Sequence, residues 1–242
     1  MDYFCVTILL NGQKFQYNLE RKKVKNINLR IKPDGSVYVS ANNLVSQEKI
    51  ERFLAEKSEF ILKALEHYRE LQKYAPKPKK YVDGEHFKIC GHDLRLKVFQ
   101  GVKNCVESDG VYIKLTAKDI SDFELKQKIM DKWIKEQCVS TISLICEAVY
   151  PKFQKYGVIF PKLKFRKMIS RWGSCQPKRG SLTFNISLIE APMSCIEYVV
   201  VHEFTHFLQP NLSKKFYTQL TMFMPDWLER KKLLEKSGIG IL

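Results

Sequence analysis

The sequence has no run of about 18 apolar residues, so no membrane-spanning helix is expected. It has no CxxC pair, and its cysteines are odd in number: Cys5, Cys90, Cys105, Cys138, Cys146, Cys175 and Cys195. That scatter argues against a disulfide framework and points to free thiols in a reducing cytoplasm. The opening MDYFCVTILLNGQKFQ lacks the basic start and small-residue cleavage site of a signal peptide, so a cytoplasmic location is expected. No Gly-rich phosphate cradle is visible, which weighs against nucleotide chemistry. Acidic residues are outnumbered, 26 against 41 Lys and Arg, leaving a net charge of +15. Such a balance attracts polyanions over long range and admits nucleic acid as a partner.

What is present suffices for a folded core, since 45% of the 242 residues are hydrophobic. Residues 3–45 alternate as strands do, in YFCVTILL, KFQYNLE, INLRIK and SVYVSA, with Pro33-Asp34-Gly35 as a hairpin turn. Ser46-Gln47-Glu48 opens a helical pattern that runs to about Tyr74, and APKPKK at 75–80 reads as a connection. Short strands return from Tyr81 to Leu115, punctuated by Gly84, Gly91, Gly101 and Gly110. A capping box at Ser121 and Glu124 then starts a long helix that continues to Gly157. KLKFRKMISRWGSC and SLTFNISLI read as two strands joined by PKRG, and Pro192 as a first-turn proline of the next helix. Helices over about Ser213 to Met224 and Asp226 to Lys236 end the chain. No internal repeat is apparent, and the fold class is α+β.

The helix after Pro192 carries VVVHEFTH. Residues four apart share a helix face, so His202 and His206 can present imidazoles to one ion with Glu203 beside it. A zinc ion lowers the pKa of its bound water toward about 7, and a carboxylate within reach can take the proton as that water attacks a carbonyl. The other helix faces are apolar, which places the motif on a buried helix. His67, His86 and His92 stand among charged or turn residues and read as surface side chains.

SRWGSC at 170–175, SLTFNISLIEAP at 181–192, IEYVVVHEFTH at 196–206, PNLSKKFY at 210–217 and MPDW at 224–227 together resemble the YgjP-like metallopeptidase family, a minimal zinc-protease fold related to the SprT and WLM groups. NINLRIKPDGSVYVSA and IERFLAEKSEFI are similar to the front half of that family, so the resemblance covers about residues 20–236. It implies an N-terminal accessory, mainly β region over 1–120 with one helix at about 46–74. It further implies a zincin-like domain over 121–242, made of a long helix, a small mixed or antiparallel sheet, the HExxH helix and C-terminal helices. Carried over residue by residue, it makes His202 and His206 zinc ligands and Glu203 the general base. It also makes the strand at Arg171, Trp172 and Gly173, with Asn185 in the facing strand, candidates for holding a peptide substrate. Asn185 reads equally well as a turn cap, and Cys175 as a small buried hydrophobe.

The family's third histidine falls in an Asn-His-Ser segment, which here reads Asn211-Leu212-Ser213. Leucine cannot coordinate zinc, and a catalytic site takes three protein ligands. Asp226 and Glu229 are carboxylates at a suitable separation, and Gln209 and Asn211 are weak neutral alternatives. Three readings follow. The first is a zinc-dependent metallopeptidase acting on proteins or peptides, impaired where Leu212 replaces the ligand. The second is a catalytically degenerate member of the fold acting as a basic module that binds nucleic acid or protein. The third is a metal-dependent nucleotide phosphoanhydride hydrolase. Basic clusters at 21–25, 77–80, 162–167, 178–179 and 230–236 are spread along the chain and suggest a diffuse positive field.

Overall fold

Alternating apolar residues and short turns build two sheets of the same design. The computed structural model describes residues 4–10, 13–32, 34–73, 78–168 and 171–236. The chain divides into two compact units, residues 1–76 and 77–241. Pro33 of the expected turn, residues 74–77 at the expected helix end and connection, and residues 169–170 lie outside the described residues.

In the first unit β1 (Phe4–Leu10), β2 (Gln13–Arg21), β3 (Asn28–Ile31) and β4 (Val37–Ala41) form a sheet in the order β1-β2-β4-β3. The two hairpins are antiparallel and β2 runs parallel to β4. Val37, Val39 and Ala41 turn one face of β4 inward, onto Ile50 and Leu54 of α1 (Gln47–Glu56) and Ile61 of α2 (Ser58–Lys73). Ser46 caps α1 by accepting from the Lys49 N–H, as a serine at that position should. The single helix expected over 46–74 is two helices. The Lys57 N–H is shared between the Phe53 and Leu54 carbonyls at 3.2 Å each, a bifurcated ending, and Ser58 starts a new turn.

The second unit repeats the arrangement. β5 (His86–Ile89), β6 (His92–Gln100), β7 (Cys105–Ser108) and β8 (Tyr112–Ala117) follow the order β5-β6-β8-β7, with β6 parallel to β8 and both hairpins antiparallel. The correspondence extends to single residues. Ile113, Leu115 and Ala117 are buried where Val37, Val39 and Ala41 are, and Asp109-Gly110 turns where Asp34-Gly35 does. The Gly101 N–H donates to the Ala117 carbonyl at 3.0 Å, as the Lys22 N–H does to the Ala41 carbonyl. A helix cap lies five residues past each alanine, Ser46 in one case and Asp122 in the other. The chain therefore contains a repeated four-strand-and-helix unit that its sequence conceals, because few positions keep the same residue.

The long helix α3 (Phe123–Val149) is capped by Asp122, which accepts from the Leu125 N–H at 2.9 Å. The expected Ser121 cap is displaced by one residue, and Ser121 instead donates to Asp119 at 2.6 Å. Met130 and Trp133 of α3 pack on the β5–β8 sheet, while Cys138, Ile142, Cys146 and Val149 pack into a second core. That core is closed by α4 (Pro151–Gln154), by β9 (Lys162–Arg166), β10 (Gly173–Gln176) and β11 (Ser181–Asn185), and by α5 (Met193–Thr205), α6 (Lys214–Phe223) and α7 (Trp227–Lys236). The three strands are ordered β10-β11-β9, with β10 antiparallel and β9 parallel to β11. The run expected as one strand, 162–175, thus supplies both edges of this sheet, and 186–190 is a 3-10 turn rather than strand. Pro192 stands at the N-cap of α5, one position before the expected first turn.

The β5–β6 turn fastens the repeated sheet to the start of the motif helix. The Cys90 N–H donates to the Ile189 carbonyl at 2.6 Å, and Gly91, at φ +83°, lies so close to Pro192 that a Cβ would stand 2.9 Å from its Cα. Gly84 has a similar φ of +80° but open space around it. Gly84→Ala should therefore cost about 1 kcal/mol of backbone strain and Gly91→Ala clearly more, at least about 2 kcal/mol, in urea unfolding. Equal losses would show that the Pro192 contact does not bear on stability.

Candidate metal centre

α5 is apolar on nearly every side: Ile196, Val200, Val201 and Phe204 are fully buried and Val199 almost so. A helix of that kind sits inside a fold rather than on it. His202 and Glu203 lie in its last turn and His206 is its C-cap residue. The two imidazoles converge, with Nε2 to Nε2 at 3.2 Å. His206 Nδ1 bonds the Gln209 carbonyl at 3.2 Å, which fixes its N–H there and leaves the Nε2 lone pair facing His202. Phe216 of α6 packs against both rings, at centroid distances of 4.9 and 4.6 Å.

These side chains open on a cleft of about 500 Å³ whose lining includes Arg171, Trp172, Gly173, Cys175, Tyr198, His202, Glu203 and His206. Glu203 is 5% exposed, and its Oε2 has no hydrogen-bond partner; neither has the buried His202 Nδ1. Burial drives the Glu203 carboxyl up to about 8, against the opposing pull of the Arg171 charge and the Cys175 backbone N–H. Burial likewise drives His202 down to about 4, aided by His206 and Lys231, and lowers His206. Burial raises Cys175 to about 12, so it is no nucleophile here.

Gly173 makes this arrangement sterically feasible. A Cβ there would stand 2.6 Å from Glu203 Oε1 and Cγ, so only glycine lets the carboxylate lie against β10. Trp172 and Gly173 border the cleft with Arg171, whereas Asn185 lies beneath it, fully buried. Its side chain accepts from the Met168 and Ser187 N–H groups and donates to the Met168 and Arg171 carbonyls. Asn185 thus caps a turn and holds the chain on both sides of residues 169–170, which positions Arg171.

The remaining ligand candidates lie elsewhere. Leu212 is 57% exposed. Asp226 accepts from Arg230 Nε at 2.8 Å, and Arg230 also pairs with Glu197, tying α7 to α5. Glu229 is exposed, and so are His86 and His92. Among the described residues no group of three or more His, Cys, Asp and Glu side chains gathers to hold a metal ion. Two features escaped the sequence reading: the steric role of Gly173, and Tyr198, whose ring meets His202 at 5.8 Å from the preceding helical turn. An i, i+4 spacing before His202 was the available signal for the tyrosine.

A model of the YgjP-like family, described as its metallopeptidase domain, matches residues 25–237. The chain belongs to the YgjP-like metallopeptidase family. No curated protein matches it. A YgjP-like metallopeptidase is expected to use a metal and to act on protein or peptide. The converged Nε2 pair, with the unpartnered Oε2 of the neighbouring Glu203, fits such an ion in part, supplying two of the usual three protein ligands.

Glu203 also governs a pH dependence of the metal-free protein. Its carboxyl titrates near 4.5 when unfolded and near 8 when folded, so its contribution is fully present below pH 4.5 and is lost as pH rises through 8. Glu203→Gln removes that loss. In EDTA the variant should be close to wild type at pH 5 and more stable at pH 8.5 by on the order of a few kcal/mol, at about 1.4 kcal/mol per pKa unit. Chemical denaturation at both pH values measures this, and a pH-independent difference would contradict the assignment.

Proposed function

We propose that this YgjP-like protein is a zinc-dependent metalloendopeptidase in which His202 and His206 hold the metal and Glu203 is the general base. The observation that carries the reading is the pair of Nε2 atoms 3.2 Å apart beside a buried carboxylate, in a cleft bordered by the edge strand β10. Zinc, when bound, supplies the charge that polarises the attacking water and the scissile carbonyl and favours the ionised carboxylate. Glu203 takes the proton from the water and returns it to the leaving amide nitrogen. Arg171, across the cleft, favours ionised Glu203 and stands ready for charge that develops on the substrate. The open edge of β10 holds the peptide by backbone pairing, and Gly173 leaves room for the base.

A second reading is favoured by one observation, the exposed Leu212 with no third ligand among the described residues. In it the fold is kept as a binding module with little metal and little turnover. The two readings separate on zinc content after dialysis, compared between wild type and Leu212→His. The peptidase reading expects about one equivalent in wild type and, in the variant, zinc affinity raised by more than about tenfold. It also expects peptide cleavage to be abolished in Glu203→Gln and reduced roughly a hundredfold in Gly173→Ala, where the base is displaced. Metal retained by the variant alone would favour the binding module.

A further inference from the structure

Little unpaired negative charge borders the cleft: Glu235, which acts on Tyr198, is paired with Lys231. From residue 148 to residue 225 the only acidic residues are Glu190, Glu197 and Glu203, against eleven Lys and Arg. Glu197 is paired with Arg230, Glu190 is partly buried beside Lys79 and Lys88, and Glu203 is the buried base. The cations that flank β10 keep their charge available. Arg171, Lys178 and Arg179 are exposed and form no ion pair among the described residues.

Their placement relative to β10 is specific. The Asn185 N–H donates to the Trp172 carbonyl at 2.8 Å, so the register puts Ser174 and Gln176 in bonded pairs with β11. Gly173 and Cys175, between them, turn their backbone groups away from β11, the Cys175 N–H toward Glu203 and the others to the open edge. Arg171 lies two residues before Gly173. Lys178 and Arg179 follow Gln176 in an exposed 3-10 turn closed by Gly180. At about 3.3 Å per residue the four residues of β10 span roughly 13 Å, so a peptide of about six extended residues runs past both ends of the strand, toward Arg171 at one and the Lys178–Arg179 turn at the other.

We infer that the cleft selects acidic peptides, with carboxylate side chains at both ends of the segment paired along β10, one set by Arg171 and the other by Lys178 and Arg179. This rests on the peptidase reading and names the substrate class of that site. A peptide fits this surface better than a polynucleotide does. The cations flank a strand edge where the Gly173 N–H and C=O and the Cys175 C=O match a peptide backbone, and a sugar-phosphate chain has no such groups to offer.

The test is binding of labelled twelve-residue peptides to the full chain carrying Glu203→Gln, by fluorescence polarisation in the presence of zinc. Three peptides share a neutral centre and differ in flanks of Glu, Gln or Lys. The Glu peptide should bind about tenfold tighter than the Gln peptide in 50 mM salt, the gap closing in 0.5 M salt, and the Lys peptide weakest. Adding Lys178→Glu and Arg179→Glu should erase the preference. Adding Lys152→Glu and Lys155→Glu, an equal charge change in and beside α4, should leave it. Equal loss in the two double variants would mean a diffuse field and overturn the inference, as would equal binding of the Glu and Gln peptides. An oligonucleotide of the same charge that bound tighter and displaced the Glu peptide would overturn it too. Cleavage by the zinc-loaded wild type separates the two proposals. If none of the peptides is cleaved but the acidic preference persists, the surface stands and turnover fails. If all are cleaved with equal kcat/KM, the peptidase stands and the inference falls.

Discussion

A carboxylate buried without a partner costs several kcal/mol unless it stays protonated or meets a cation. α5 accepts that cost by carrying Glu203 into the core of the larger unit with one oxygen unbonded. Much of the surrounding structure serves this. α3 and the three-stranded sheet cover the apolar faces of α5, Phe216 packs on its two histidines, and Arg230 ties it to α7. Gly173 is the counterpart across the cleft, because any side chain there would occupy the space of the carboxylate. Local instability concentrated in one cluster, with rigid packing on all other sides, is the usual bargain of a site that must present reactive groups.

The electrostatics follow from the same burial. Burial favours a protonated Glu203 carboxyl and a neutral His202 imidazole in the metal-free cleft, with the Arg171 charge opposing the first and the Lys231 charge supporting the second. An added dication would reverse the preference of the carboxyl, so any metal held beside Glu203 would change its charge state. Leu212 stands where the family resemblance implies a ligand, and it is more than half exposed.

Much of the local structure was legible in the residues. The alternating runs became β1 to β8, the long apolar periodicity became α3, and Ser46 caps a helix. Chain-neighbour signals explain those successes. The misreadings arose where hydrogen bonding, not hydropathy, decides. A single pattern over 46–74 breaks at Lys57 because its N–H finds two carbonyls at once, and 186–190 coils because Asn185 caps it. The duplication of the four-strand sheet was invisible because sheet order depends on which edges meet. What recurs between the halves is buried position, turn site and cap, with different residues at most of them.

By itself the sequence determined the spacing of His202, Glu203 and His206, the absence of histidine at 212, and the excess of positive charge, since these are properties of order along a chain. It also carried the family resemblance that residues 25–237 bear out. Only the tertiary structure decided that Gly173 stands against Glu203, that Asn185 holds the Arg171 segment from below, and that scattered basic clusters leave two cationic ends on one strand edge. Each of these is a contact or juxtaposition across a turn, a loop or a sheet. Neither hydropathy nor spacing encodes it, because its energy comes from what meets in space.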